Sequence, residues 1–189
     1  MKLELSGDEI RRAKHPHELF LTNMIGNHIL WFVAALGMFG SFWQPLALVP
    51  VFSVAILGYI LWRARRARQE SSWYVMCQWQ IAARRSRGFI LMLGVLVTVS
   101  CLGLLGHFYL GMEKVAVMAM VGGMGLLPVL VSVLALIVME SDALHQVSQG
   151  KLSPRVFERY PNPEAVILED DRQSVSEQPA QRIKSETDH

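Results

Sequence analysis

Residues 63–87 read Arg63-Ala-Arg-Arg-Ala-Arg-Gln-Glu-Ser-Ser-Trp-Tyr-Val-Met-Cys-Gln-Trp-Gln-Ile-Ala-Ala-Arg-Arg-Ser-Arg87, and their reading decides the fold. Arg63, Arg65, Arg66 and Arg68 stand at one end, and Arg84, Arg85 and Arg87 at the other. Glu70 is the single acid, and Trp73, Tyr74 and Trp79 lie between the two clusters. Strongly apolar sequence flanks the stretch on both sides. Arginine on short loops marks the cytoplasmic face of a membrane protein. The stretch is therefore expected to be a cytoplasmic basic elbow that joins two pairs of membrane helices. Neither Gly nor Pro interrupts it before Gly88, which predicts a helix running on from the apolar segment before it. Trp73, Met76, Cys77 and Ile81 share one face of such a helix.

Two roles fit the elbow. Its arginines can lie against anionic lipid headgroups, at about 1 kcal/mol each near the surface. They can also dock a protein partner, because Arg, Trp and Tyr are enriched at binding hot spots. The candidate interaction surface is Arg63, Arg65, Arg66, Arg68, Trp73, Tyr74, Trp79, Arg84, Arg85 and Arg87. No nucleic-acid-binding motif accompanies the charge, so nucleic acid is not expected as a partner.

Working outward, residues 24–43 contain no acid, Lys or Arg. About 20 residues at 1.5 Å each suffice to cross a bilayer core of ~30 Å. A turn is expected at Gln44-Pro45. A second span follows over 46–62, kinked at Pro50. Residues 89–110 form a third span, Gly111–Lys114 a turn, and 115–139 a fourth span. Within the fourth, Gly122, Gly123, Gly125 and Pro128 predict a kink or unwinding. The fold class expected is all-α, with four transmembrane helices arranged as two hairpins, the basic elbow helix and a disordered C-terminal tail. The divisions are an N-terminal arm (1–22), a membrane domain (23–140) and a tail (141–189).

Composition agrees with this class. Hydrophobic residues make up 52% of the chain, above the ~45–50% of soluble domains, and mean hydropathy is +0.30. The ends are polar. Ser6 and Glu9 have capping-box spacing, so a short helix is expected in the arm, broken at Pro16. The arm is expected to be solvated or to lie on the membrane surface, and the first span to be retained rather than cleaved as a signal. From Glu169 the tail is rich in Glu, Asp, Ser and Gln and has no aromatic residue, so disorder is expected. Every Lys and Arg except Lys114 falls in the arm, the elbow or the tail. That places both termini in the cytoplasm, with very short turns outside, and favours a bacterial inner membrane as the location.

Chemistry-bearing residues are sparse. Cys77 and Cys101 form no C-x-x-C and are not expected to pair. His15-Pro16-His17 lacks further metal ligands nearby. His28 and His107 lie within spans, at depths that differ by roughly 20 Å, so one haem iron cannot take both. Each is expected to bond a backbone carbonyl or water. No acid lies deep in a span, so no carboxylate proton relay is expected. Asn27, Thr98, Ser100, Cys101 and Ser132 are expected to bond across helices or to their own backbone. Gly37-x-x-x-Ser41 and Gly94-x-x-x-Thr98 have the form that lets helices approach closely, and Gly103 with Gly106 offers a looser version. Gly37, Ser41, Gly122, Gly123, Gly125 and Pro128 are the candidate helix-packing residues. No catalytic, cofactor or metal residue is assigned. The function expected is a non-enzymatic accessory or scaffold subunit of a larger membrane assembly, with a protein partner or self-association. The alternatives are a homo-oligomeric channel or transport component lined by the fourth helix, and a haem- or quinone-associated electron-transfer subunit.

Overall fold

The computed structural model describes residues 1–38, 44–70 and 72–169. The protein is mostly helical, and four of its helices are long and apolar enough to cross a membrane. We number them α1 (Gly7–Gly37), α2 (Gln44–Glu70), α3 (Trp73–Leu110) and α4 (Lys114–Ser148). A short α5 (Pro154–Arg159) follows. Two short strands, β1 (Lys2–Leu3) and β2 (Ile167–Glu169), pair antiparallel.

Local chemistry sets the boundaries. Ser6 Oγ accepts from the Glu9 amide at 3.2 Å, and the Glu9 carboxylate accepts from the Ser6 amide at 3.4 Å, so the expected capping box starts α1. Pro16 does not break that helix. Its missing N–H costs one ladder bond, which is offset by packing: Ala13, Pro16, His17 and Phe20 are all buried on one stripe. Residues Asn23–Trp31 continue α1 with wider, π-type turns. Pro45 sits in the first turn of α2, where a missing N–H is harmless, and α2 runs on through Pro50. Gly111 (φ 65°) ends α3, and Gly150 (φ 66°) follows α4, each in the left-handed region that favours glycine. In α4 the Val121–Leu126 stretch is π-helical. The expected kink or unwinding around Gly122 and Gly123 is thus a widened turn inside a continuous helix.

Three further expectations are corrected. The elbow is not one helix: α2 carries Arg63–Arg68, then Ser72 turns extended (ψ 152°), and α3 begins at Trp73. The arm is not a separate solvated or surface-lying segment: one face of its helix packs on α3 and α4, while Asp8, Arg11 and Arg12 on the other face stay exposed. The helices also run past the spans expected for them. At 1.5 Å per residue, the 38 residues of α3 reach about 57 Å, far beyond a ~30 Å bilayer core. Residues 39–43, including Ser41 and Trp43, lie outside the described residues, as do Ser71 and the tail from 170 onward.

The surplus length builds a second region, a head. It contains the first turns of α1, the end of α2, the start of α3 and the end of α4, closed by the strands. Leu3 N donates to the Gly150 carbonyl at 3.0 Å, and Leu152 N donates to the Met1 carbonyl at 3.0 Å. Most of the hydrophobic core lies here or just below: Phe20, Ala64, Ala67, Tyr74, Cys77, Trp79, Ala82, Val147 and Leu152 are all buried. The other region is an apolar belt. Leu30, Val33, Val51, Phe52, Leu91, Leu102, Leu105, Val131, Leu134 and Val138 are exposed on it.

Candidate functional site

The inward stripe of α1 carries buried polar groups as well as apolar ones. His17, Asn23 and His28 are each buried on it, with Phe20 and Met24 between. Two polar clusters result.

The first sits in the head. His17 Nδ1 lies 2.6 Å from Oε2 of Glu140, and His17 Nε2 lies 3.1 Å from Oε1 of Gln78. Both the imidazole and the carboxylate are completely buried. Arg85 Nη1 lies 3.0 Å from Glu140 Oε1; it is an ion pair without hydrogen-bond alignment at that oxygen. The guanidinium also donates to the Met139 carbonyl at 3.2 Å. The cluster joins α1, α3 and α4, elements far apart in sequence. A buried carboxylate is tolerated only where opposite charge and donors surround it, and His17 and Arg85 meet that need from two sides.

The second cluster lies deeper, between α1 and α2. Ser53 Oγ accepts from Asn23 Nδ2 at 3.1 Å and meets His28 Nε2 at 2.7 Å. Asn27 Nδ2 donates to the Val49 carbonyl at 2.8 Å. That carbonyl lies one turn before Ser53 and would otherwise serve α2 alone. The His28 ring meets Phe89 of α3 edge-on at 4.9 Å. These groups satisfy one another between helices in apolar surroundings, as intramembrane polar side chains commonly do.

The expected interaction surface divides. Two of its aromatic residues are internal, and Trp73 is half-buried against the core. Tyr74 and Trp79 are buried. Tyr74 Oη donates to the Lys151 carbonyl at 3.0 Å, and Trp73 Nε1 donates to the Tyr160 carbonyl at 2.8 Å. Arg63 stacks over Trp79 at 5.6 Å and Arg66 over Trp62 at 5.8 Å. Arg65, Arg66, Arg68, Arg84 and Arg87 are exposed, whereas Arg63 and Arg85 are half-buried. The aromatic middle of the elbow is therefore core, which is also why its buried positions cover nearly the whole circumference of α3 there.

The small residues divide too. Added bulk at Gly125 would meet Leu96 Cδ1 at 2.9 Å, and at Gly103 Met120 Cε at 2.9 Å, so both let α3 and α4 approach closely. Gly106 packs against the Met112 thioether. Among the described residues, Gly37, Gly94, Gly122 and Gly123 face open space and make no close helix contact. Thr98, Ser100 and Ser132 donate to their own backbones at Gly94, Leu96 and Pro128. His107 Nδ1 donates to the Met112 carbonyl at 2.7 Å, the backbone partner expected of it. His28 instead meets a side chain. Cys77 is buried and Cys101 exposed, both free thiols.

Sequence reasoning missed His17, Gln78 and Glu140. Two signals were present. Ala13, His17, Phe20 and Met24 follow helical spacing across Pro16. Glu140 is the acid that directly ends the apolar run of 115–139. Among the described residues, no cluster of three or more His, Cys, Asp or Glu could hold a metal ion. Comparison with family models, with curated proteins and with solved structures finds no match to the chain.

Proposed function

We propose that the protein is a multi-spanning membrane protein that serves as a non-enzymatic accessory or scaffold subunit of a larger membrane assembly. One observation carries the reading. The head packs on itself, while the most apolar 18-residue windows of α3 and α4 are only 17% buried, against 28% in α1 and α2. Lipid and neighbouring helices are the environments that cover such faces without the cost of exposure to water. The α3–α4 face is accordingly the side offered to a partner.

The finer topology follows from charge. With four crossings, the arm, the arginines of α2 and α3 and the tail share one side, and Lys114 alone lies on the other. The positive-inside tendency makes that side cytoplasmic, with the helices as two hairpins and a bacterial inner membrane as the favoured location. The exposed arginines Arg65, Arg66, Arg68, Arg84 and Arg87 then meet anionic headgroups and cytoplasmic partners.

Gentle solubilisation from the native membrane, followed by mass measurement of the intact complex, tests the reading. A stoichiometric second protein is expected. A homo-oligomer or a monomer alone would overturn the subunit role.

A further inference from the structure

The two hairpins of the belt differ in reach. His28 of α1 meets Ser53 of α2 at 2.7 Å and the Phe89 ring of α3 at 4.9 Å, so these residues share a level. From that level α1 runs on only to Gly37 and α2 comes in from Gln44, about 14 Å in each case at 1.5 Å per residue. α3 runs on to Leu110, about 32 Å, and α4 returns beside it from Lys114. The α3–α4 hairpin is therefore about 18 Å taller. The packing agrees. Phe32–Gly37 packs on α2 and on earlier turns of α1, and Lys114–Met120 packs on α3 and on its own continuation. Along Cys101–Leu110 only Gly103, against α4, and Gly106, against Met112, are buried.

A bilayer core is ~30 Å thick. With Phe89 near one edge of it, α3 reaches the other edge, whereas α1 ends and α2 begins about halfway, level with Thr98. The last carbonyls of a helix and the first N–H groups of the next lack intrahelical partners. At that depth neither water nor an acyl chain satisfies them, so protein must surround them. Among the described residues nothing packs over Gly37, and Leu36 and Met38 are exposed.

We propose that the step above the end of α1 is the seat of a transmembrane helix from a partner protein, one that turns polar side chains such as Asn, Gln, Ser or Thr toward the end of α1 and the start of α2. A second copy of this chain lacks that chemistry at this depth, because Thr98, Ser100 and Ser132 bond to their own backbones. The inference rests on the subunit reading and names where the partner sits. It also refines the topology: two crossings and one hairpin that returns from half depth still leave the arm, the arginines and the tail on one side.

Gly37→Trp tests the seat in the intact complex solubilised from its native membrane. Added bulk at Gly37 meets nothing in this chain, so it acts on an occupant. Recovery of the partner is expected to fall about tenfold or more, as overpacking of a fitted contact requires. Val51→Trp, on the exposed lower face of α2, should keep the partner. A partner retained at wild-type stoichiometry by Gly37→Trp overturns the seat and leaves the subunit role standing. A wild-type complex that holds no second protein, or only further copies of this chain, overturns both. If Gly37→Trp does not insert, depth decides. Spin labels at Met38→Cys, Thr98→Cys and Tyr109→Cys, with Cys101 replaced by Ser, are read in lipid nanodiscs by collision with oxygen and a nickel chelate. The Met38 label is expected at the depth of the Thr98 label. A Met38 label at the far surface, as deep as that on Tyr109, overturns the proposal.

Discussion

The head and the belt are made of the same four helices, yet they are built by opposite means. In the head, helix surfaces meet one another on most sides. Phe20 is fully buried, and buried polar atoms find partners across three helices. In the belt, large apolar side chains such as Leu91, Leu102 and Leu134 stay exposed, and polar side chains on α3 and α4 bond to their own backbones. The proposed membrane setting accounts for the contrast. The head must exclude water from its interior to be stable, so it needs a packed core. A belt in hydrocarbon gains little from burying one apolar side chain against another. It keeps only the close contacts that glycine permits, at Gly103 and Gly125.

Matched substitutions sharpen or break that contrast. Phe20→Ala should have the largest effect, a loss of about 3–5 kcal/mol, because it leaves a cavity in a closed core. Leu102→Ala on the belt should change stability by less than about 0.5 kcal/mol. Unfolding midpoints in mixed micelles measure both, and similar losses would erase the distinction. Arg85→Ala comes next, at about 3 kcal/mol. It strips the fully buried Glu140 carboxylate of its guanidinium, and the lower end of the range applies because Arg85 keeps some solvent contact. In the belt, Gly125→Leu should cost about 1–3 kcal/mol by forcing α3 and α4 apart at Leu96. Gly94→Leu, which faces open space, should be close to neutral. Equal effects of those two would mean that the α3–α4 contact does not organise the belt. Gly150→Ala should have a modest effect, larger than that of the two control substitutions. A φ of 66° disfavours a side chain by about 1–2 kcal/mol, which should loosen the strand closure of the head before it affects the belt. Exchange of the Leu3 and Leu152 amides reads that loosening.

The belt was legible in the sequence and the head was not. Long runs without a charged residue, such as 89–110 and 115–139, show directly which helices are long and apolar enough to cross a bilayer. The charged clusters were equally plain. What they hid was the packing between them. Trp73, Tyr74 and Trp79 look like a displayed aromatic patch because arginines flank them, but their neighbours in space come from α5, the Lys151 backbone and α2. Pro16 looks like a helix end because its intrinsic cost is local, whereas the packing that offsets it comes from distant residues. Glu140 reads as the start of a polar tail. Only the return of α1 alongside α4 encloses it with His17. Pairings over such separations leave no trace in periodicity. The small-residue patterns failed for a related reason: Gly37 and Gly94 have the right spacing, but which glycine meets a neighbour depends on how the helices are rotated, and Gly103 and Gly125 are the ones that do.

The central claim is that α3 passes from a water-surrounded head into a hydrocarbon-surrounded belt near Gly88. Single spin labels placed in turn along exposed positions of α3, in liposomes, test it through collision with oxygen and with a water-soluble nickel chelate. The account predicts chelate access at Arg84 and Arg87. It predicts a switch to oxygen access by Leu91, held through Val95, Leu102 and Leu105. Chelate access throughout Leu91–Leu105 would contradict it, and with it the membrane reading of the whole chain.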